Sequence, residues 1–196
     1  KMSHDIGPTD SPLIEDTIGD YFDKVVAQYP DKEALVSRHQ NIRMTYKQLQ
    51  QQANQLASSM INMGLEKGDR VGIWSHNNAQ WLLMQLATAK AGVILVNINP
   101  AYRISELQYA LNKVDCKVLV YMRHFKSSDY VQMVQEMAPE ICHQDYRYLE
   151  LNTLPNLKRL VLIDQPDTWE TFGYMQNFSD WIAEGDPNDP RLAERQ

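Results

Sequence analysis

Three short stretches gather the side chains best suited to hold a small polar ligand: SHNNAQ (75–80), NINPAYR (97–103) and MRHFKSSDY (122–130). Each follows an apolar run, and the first two carry several side-chain amides, which both donate and accept hydrogen bonds. Both of these lead into helical patterns, and a helix start favours anions. Asn77, Asn78 and Ser105 are read first as helix caps, because a side-chain oxygen at that place accepts an otherwise orphaned amide. Asn97 and Asn99 flank Ile98 and fit caps poorly. Two readings stay open for that pair, a bond to a neighbouring loop or a bond to a ligand. Arg103 lies just ahead of a helix start. Its guanidinium suits a phosphate, and equally a solvated surface.

Other chemistry finds no support. The eight glycines include no GxG, and neither a GxxxxGK[ST] phosphate loop nor a GxSxG elbow occurs. The five histidines show no HxxxH spacing, and Cys116 and Cys142 give neither metal spacing nor a disulfide framework. Cys116 precedes an apolar run and reads as a small buried hydrophobe. Cys142 and His143 are sequence neighbours, but a nucleophile and its base must meet across a fold, so a surface loop is the reading. Local residues alone disclose no catalytic set.

The net charge of −6, with lysine and arginine scattered, argues against nucleic acid as a partner. No apolar run approaches the ~18–20 residues of a membrane-spanning helix, and the polar start KMSHDIGPTDSP is no signal peptide. The expected place is the cytoplasm, or the mitochondrial matrix in a eukaryotic source. Lys1 before Met2 suggests a processed, engineered or internal start.

These loops need a frame, and the hydrophobic pattern supplies one. Residues 1–16 read as a flexible segment. Thr17 caps a first helix with Ile18, Tyr21, Phe22, Val25, Val26 and Tyr29 on one face, stopped by Pro30. Runs 34–37 and 42–46 around RHQN predict a β-hairpin. Thr45 and Gln48 have capping-box spacing, and Leu49, Ala53, Leu56, Met60 and Met63 mark an amphipathic helix ended by Gly64. Strands are then expected at 71–74, 93–96, 117–122 and 158–164. Between them lie a nearly all-apolar helix ending at Gly92, a helix capped by Ser105 with Gln108 in the box position, and a helix over 129–137. Solid apolar strands alternating with helices predict strands buried on both faces of a parallel sheet. The fold class is therefore α/β, a doubly wound, mostly parallel sheet with flanking helices and an added β-hairpin near the N-terminus. The polar 186–196 reads as a linker.

Set in order, RMTYKQLQQQANQLASSMINMGLEKGDRVGIWSHNNAQWLLMQLATAKAGVILVNINPAYRISELQYAL resembles the beginning of the adenylate-forming (AMP-binding) acyl-CoA synthetases of the medium-chain fatty acid type. MTYKQL (44–49) is similar to the first core motif of that family, and KAGVILVNINP (90–100) to the second. The resemblance spans about 17–163. It implies a ligase that joins a fatty acid to coenzyme A through an acyl-adenylate, using ATP and Mg²⁺. It also implies that 17–185 is the N-terminal subdomain of such an enzyme and that 186–196 leads toward further chain. The phosphate loop, the later motifs and the C-terminal lysine of the family match no position here, so no catalytic residue is transferred and the chain alone is expected to be inactive. Pro100, Ala101, Tyr102 and Arg103 are the positions the resemblance places near the approach of coenzyme A. No tightly bound cofactor is expected, and unsatisfied helix faces leave room for a homodimer. Two alternatives stand beside this reading: a piece of an aryl-CoA or carrier-protein acyl ligase, and a stand-alone α/β interaction domain.

Overall fold

Thr17 opens the regular structure by accepting the Asp20 amide, which caps α1 (Ile18–Gln28). The computed structural model describes residues 3–163 and 171–195, and residues 3–16 run exposed without helix or strand. The outermost residues of the expected N-terminal segment, linker and fourth strand lie outside the described residues. β1 (Glu33–Ser37) and β2 (Ile42–Thr45) form the expected antiparallel hairpin. α2 (Tyr46–Asn62) starts on a full capping box, in which Thr45 and Gln48 each accept the other's amide. Its apolar face is buried through Leu49, Ala53, Leu56 and Met60.

The expected strands follow as β3 (Arg70–Trp74), β4 (Ile94–Ile98) and β5 (Cys116–Tyr121). Helices α3 (Ala79–Ala91) and α4 (Ile104–Lys113) join them. Gly92 ends α3 in the left-handed region at φ 69°, where a residue without Cβ is unstrained. The loop after β5 folds into a miniature hairpin, β6 (His124–Phe125) with β7 (Ser128–Asp129), before α5 (Tyr130–Met137) and a 3₁₀ turn (Pro139–His143). Strand β8 (Arg159–Leu162), the two-residue β9 (Gln176–Asn177), α6 (Phe178–Ala183) and α7 (Leu192–Arg195) complete the chain.

The main sheet has the order β4-β3-β5-β8-β9, parallel throughout. From β3 the chain steps one way to β4, then back across β3 to β5. Right-handed crossovers therefore put α3 and α4 on opposite faces, which is the doubly wound arrangement. α3 packs with α1 and α2, and α4 with α5.

One expectation fails at β4. Its apolar run is not covered on both faces, because β4 is the margin of the sheet among the described residues. Ile94 is 52% exposed and Asn97 is exposed. The pattern of a buried strand arises here on an edge.

Two polar clamps hold helices together. Lys90 of α3, its side chain 1% exposed, donates to Asp23 of α1 at 2.5 Å. Gln50 of α2 donates to the same carboxylate oxygen at 2.6 Å. The second clamp involves the stretch expected to be a linker. Ser58 of α2 accepts the Asp186 amide and donates to Asp189 at 2.7 Å, and Arg195 donates to the Leu65 carbonyl. Residues 186–191 thus bond to α2 through Asp186, Asp189 and Arg191, and Arg195 bonds the Leu65 carbonyl beyond α2 and the Ala91 carbonyl of α3.

Asp189 makes a pH prediction. The Arg191 guanidinium beside it, helped by Ser58 and the Arg191 amide, holds its carboxyl far below the usual carboxylate range. A depressed folded pKa gives stability that is complete above the unfolded value and is lost as pH falls through the folded one. The stability advantage of the native chain over Asp189→Asn should stay constant from pH 7 down to about 5 and shrink below about pH 4. Denaturation of both proteins across that range would test it; a constant difference would mean that the charge of Asp189 does not hold the segment.

Candidate functional site

At the carboxyl ends of β3 and β5 the connections leave on opposite faces of the sheet, and open α/β sheets bind ligands at such a switch point. Trp74 ends β3 and Tyr130 begins α5. Their rings stack with centroids 3.5 Å apart and planes 7° apart, both fully buried. Each ring turns its polar atom toward the segment after β4. Trp74 Nε1 donates to the Asn99 carbonyl at 3.2 Å, and Tyr130 Oη donates to the Pro100 carbonyl. Burial pushes the Tyr130 phenol well above its ordinary value, so it remains a donor at neutral pH.

The segment itself is tightly bonded. The Asn99 side-chain oxygen accepts the Ala101 amide at 2.9 Å, and its carbonyl accepts the Tyr102 amide at 3.0 Å. The Asn99 side chain thus bonds within its own loop and not to a neighbouring one. Asn97 and Asn99 both line an open cavity of about 480 Å³ beside α4, with Ile98, Tyr102, Glu106 and Tyr109. Ala101, Tyr102 and Arg103 are exposed. Arg103 Nη1 donates to Ser128 Oγ at 2.9 Å, which ties the segment to the β6–β7 hairpin.

The caps differ from expectation in two places. Arg103, not Ser105, stands at the cap of α4, and its amide is accepted by Glu106. Ser105 lies inside the first turn and donates to Glu106. The helix therefore starts two residues earlier, and its first residue, Ile104, packs on the core beside Leu107 and Leu111. Hydrogen bonds from its own amide and from that of Arg103 hold the Glu106 carboxyl below its usual range. At α3, Asn78 caps by accepting the Trp81 amide, whereas Asn77 is exposed. A second capping group comes from the hairpin turn: Gln40 accepts the Ala79 amide at 2.8 Å and donates to Gln80. Sequence reasoning missed it, since nothing local marks a glutamine 39 residues away. With two of its first amides so occupied, the α3 start is a poorer anion site than its sequence suggested.

Cys116 is buried and its thiol is pushed up to about 12, chiefly by desolvation, as befits an inert core residue. Cys142 and His143 are both exposed on the 3₁₀ turn. Among the described residues no group of three or more His, Cys, Asp or Glu is placed to hold a metal ion. The arrangement offers a bonded ledge with one guanidinium, not a set of reacting groups.

The model of the family described as "AMP-binding enzyme" matches residues 22–189. The chain belongs to that family. It is similar to the mitochondrial medium-chain acyl-CoA ligase ACSF2 of Mus musculus, with 42% identity over 165 residues, 84% of this chain and 27% of the relative. The putative acyl-CoA synthetase YngI of Bacillus subtilis is 37% identical over 151 residues, 77% of this chain and 28% of the relative. The chain thus spans little more than a quarter of the curated relatives it matches. Among solved structures, the anthranilate CoA ligase AuaEII has a TM-score of 0.70 at 23% identity, covering 92% of this chain and 30% of that one. The AMP-binding fold is therefore present in its doubly wound, parallel form. No helix among the described residues is long and apolar enough to cross a membrane.

Proposed function

We propose that this chain is the N-terminal wall of a fatty acid–CoA ligase, and that the 99–103 ledge faces the approach of coenzyme A. The observation that carries the reading is the 42% identity to a medium-chain acyl-CoA ligase over most of the chain. The full-length ligase would join a fatty carboxylate to ATP, giving acyl-adenylate and pyrophosphate, and the thiol of coenzyme A would then displace AMP. In this reading 17–185 is one subdomain and 186–196 leads onward from it. The residues present do not fit ATP phosphates or Mg²⁺: the described part has no glycine-rich phosphate cradle and no acidic cluster. No step through them is derived, and the chain by itself is expected to form no acyl-CoA. Arg103 does fit a phosphate of coenzyme A, because it is exposed and Ser128 orients it. For a eukaryotic source the compartment is the mitochondrial matrix, in line with the curated relatives.

Two measurements on the full-length ligase test this. Arg103→Ala should raise the KM for coenzyme A by about tenfold while leaving acid-dependent exchange of pyrophosphate into ATP unchanged. An unchanged KM would remove the ledge from the coenzyme A path. A panel of carboxylic acids should show turnover of medium-chain fatty acids. Turnover of aromatic acids alone would favour the second reading, an aryl-CoA ligase.

A further inference from the structure

We propose that Trp74 and Tyr130 are positioning residues, a stacked pair whose two polar atoms fix the carbonyls of Asn99 and Pro100 and thereby hold the 99–103 ledge in the form that receives coenzyme A. The inference rests on the reading of that ledge given above.

The geometry distinguishes this pair from ordinary core aromatics. A buried Trp or Tyr needs a partner for its N–H or O–H, and many places in a core would satisfy one. Here both partners are successive carbonyls of one loop. The rings that aim them come from different elements, β3 and α5, on either side of the switch point. Stacking makes the two donors one unit, since moving either ring moves the other. The Asn99 carbonyl then accepts from both Trp74 and the Tyr102 amide, so the turn is set from beneath as well as from within. Downstream, the Arg103–Ser128 bond joins the ledge to β7, which leads straight into α5 and Tyr130. At its far end the ledge is thus tied to the strand that leads into Tyr130. Such preorganisation lowers what a ligand must spend on ordering its site.

Tyr130→Phe keeps its ring and removes only the donor, whereas Trp74→Phe removes the donor together with part of the indole, so Tyr130→Phe carries the comparison. In the chain itself, hydrogen exchange at the Ala101 and Tyr102 amides should quicken by about fivefold in either variant, while Gly72 and Val120 in the sheet keep their protection. In the full-length ligase, the KM and the calorimetric Kd for coenzyme A should each rise by about fivefold, with pyrophosphate exchange unchanged. Unaltered exchange at Ala101 and Tyr102 would overturn the positioning role. Quickened exchange with unaltered affinity for coenzyme A, while Arg103→Ala weakens it, would overturn the inference and leave the ledge assignment standing. No effect of Arg103→Ala would overturn the assignment and the inference with it. Loss of pyrophosphate exchange in step with coenzyme A binding would mark the pair as general scaffold and overturn the proposal.

Discussion

Asp23→Ala should cost the protein about 3 kcal/mol of stability, while Lys90→Met should cost less than about 1 kcal/mol. Both changes delete the same ion pair, and the difference lies in what each leaves behind. The Lys90 side chain is 1% exposed and that of Asp23 is 36% exposed. Without Asp23 an ammonium remains in the core between α1 and α3, with the Phe22 ring, 5.8 Å away, facing its charge. Gln50 also loses its acceptor. Without Lys90, Asp23 keeps Gln50 and turns its free oxygen to water, and methionine fills the lysine's channel with apolar atoms of similar length. Chemical denaturation of the three proteins at one pH gives the comparison. Equal losses would mean that the pair contributes as a surface contact does, and that Lys90 reaches water when released.

Gly185→Ala should destabilise by about 3 kcal/mol, with Gly173→Ala within about 0.5 kcal/mol of the native chain. Gly185 lies where the end of α6 crosses α2. A Cβ added there would overlap the Gln55 carbonyl oxygen and reach within 2.6 Å of Ser59 Oγ. The obstacle is helix backbone, which cannot swing aside as a side-chain tip would. Relief requires lifting 185–195 off α2, which sacrifices the Ser58 and Asn62 bonds. At Gly173 the nearest atom to an added Cβ is 4.0 Å away. Denaturation midpoints would decide, and a small loss at Gly185 would show that the crossing is loose enough to yield.

How much of this could be read in advance depended on distance along the chain. The Thr45–Gln48 box, the Gly92 stop and the apolar runs that predict the parallel sheet are each read from residues within a few places of one another, and the box, the stop and the sheet are present. Arg103 with Glu106 and Ser105 with Gln108 have the same spacing, so spacing alone does not choose the cap of α4; the bond from the Arg103 amide to Glu106 is the one present. Gln40, the docking of 186–195 and the Trp74–Tyr130 pair join residues 39 to more than 130 apart, and no local pattern announces them. The family could be seen through the order of its motifs. The ledge could be suspected from Asn99 to Arg103, but not the aromatic pair beneath it.

The exposed margin of β4 sets a limit on how this sequence can drift. On the described residues, one row of its amides and carbonyls faces no neighbouring strand, and Ile94 already stands at 52% exposure. Such a row invites any extended peptide that passes. Asn97 is the exposed polar interruption in an otherwise apolar strand. Replacing it by valine would raise the strand's propensity and convert a border into an adhesive.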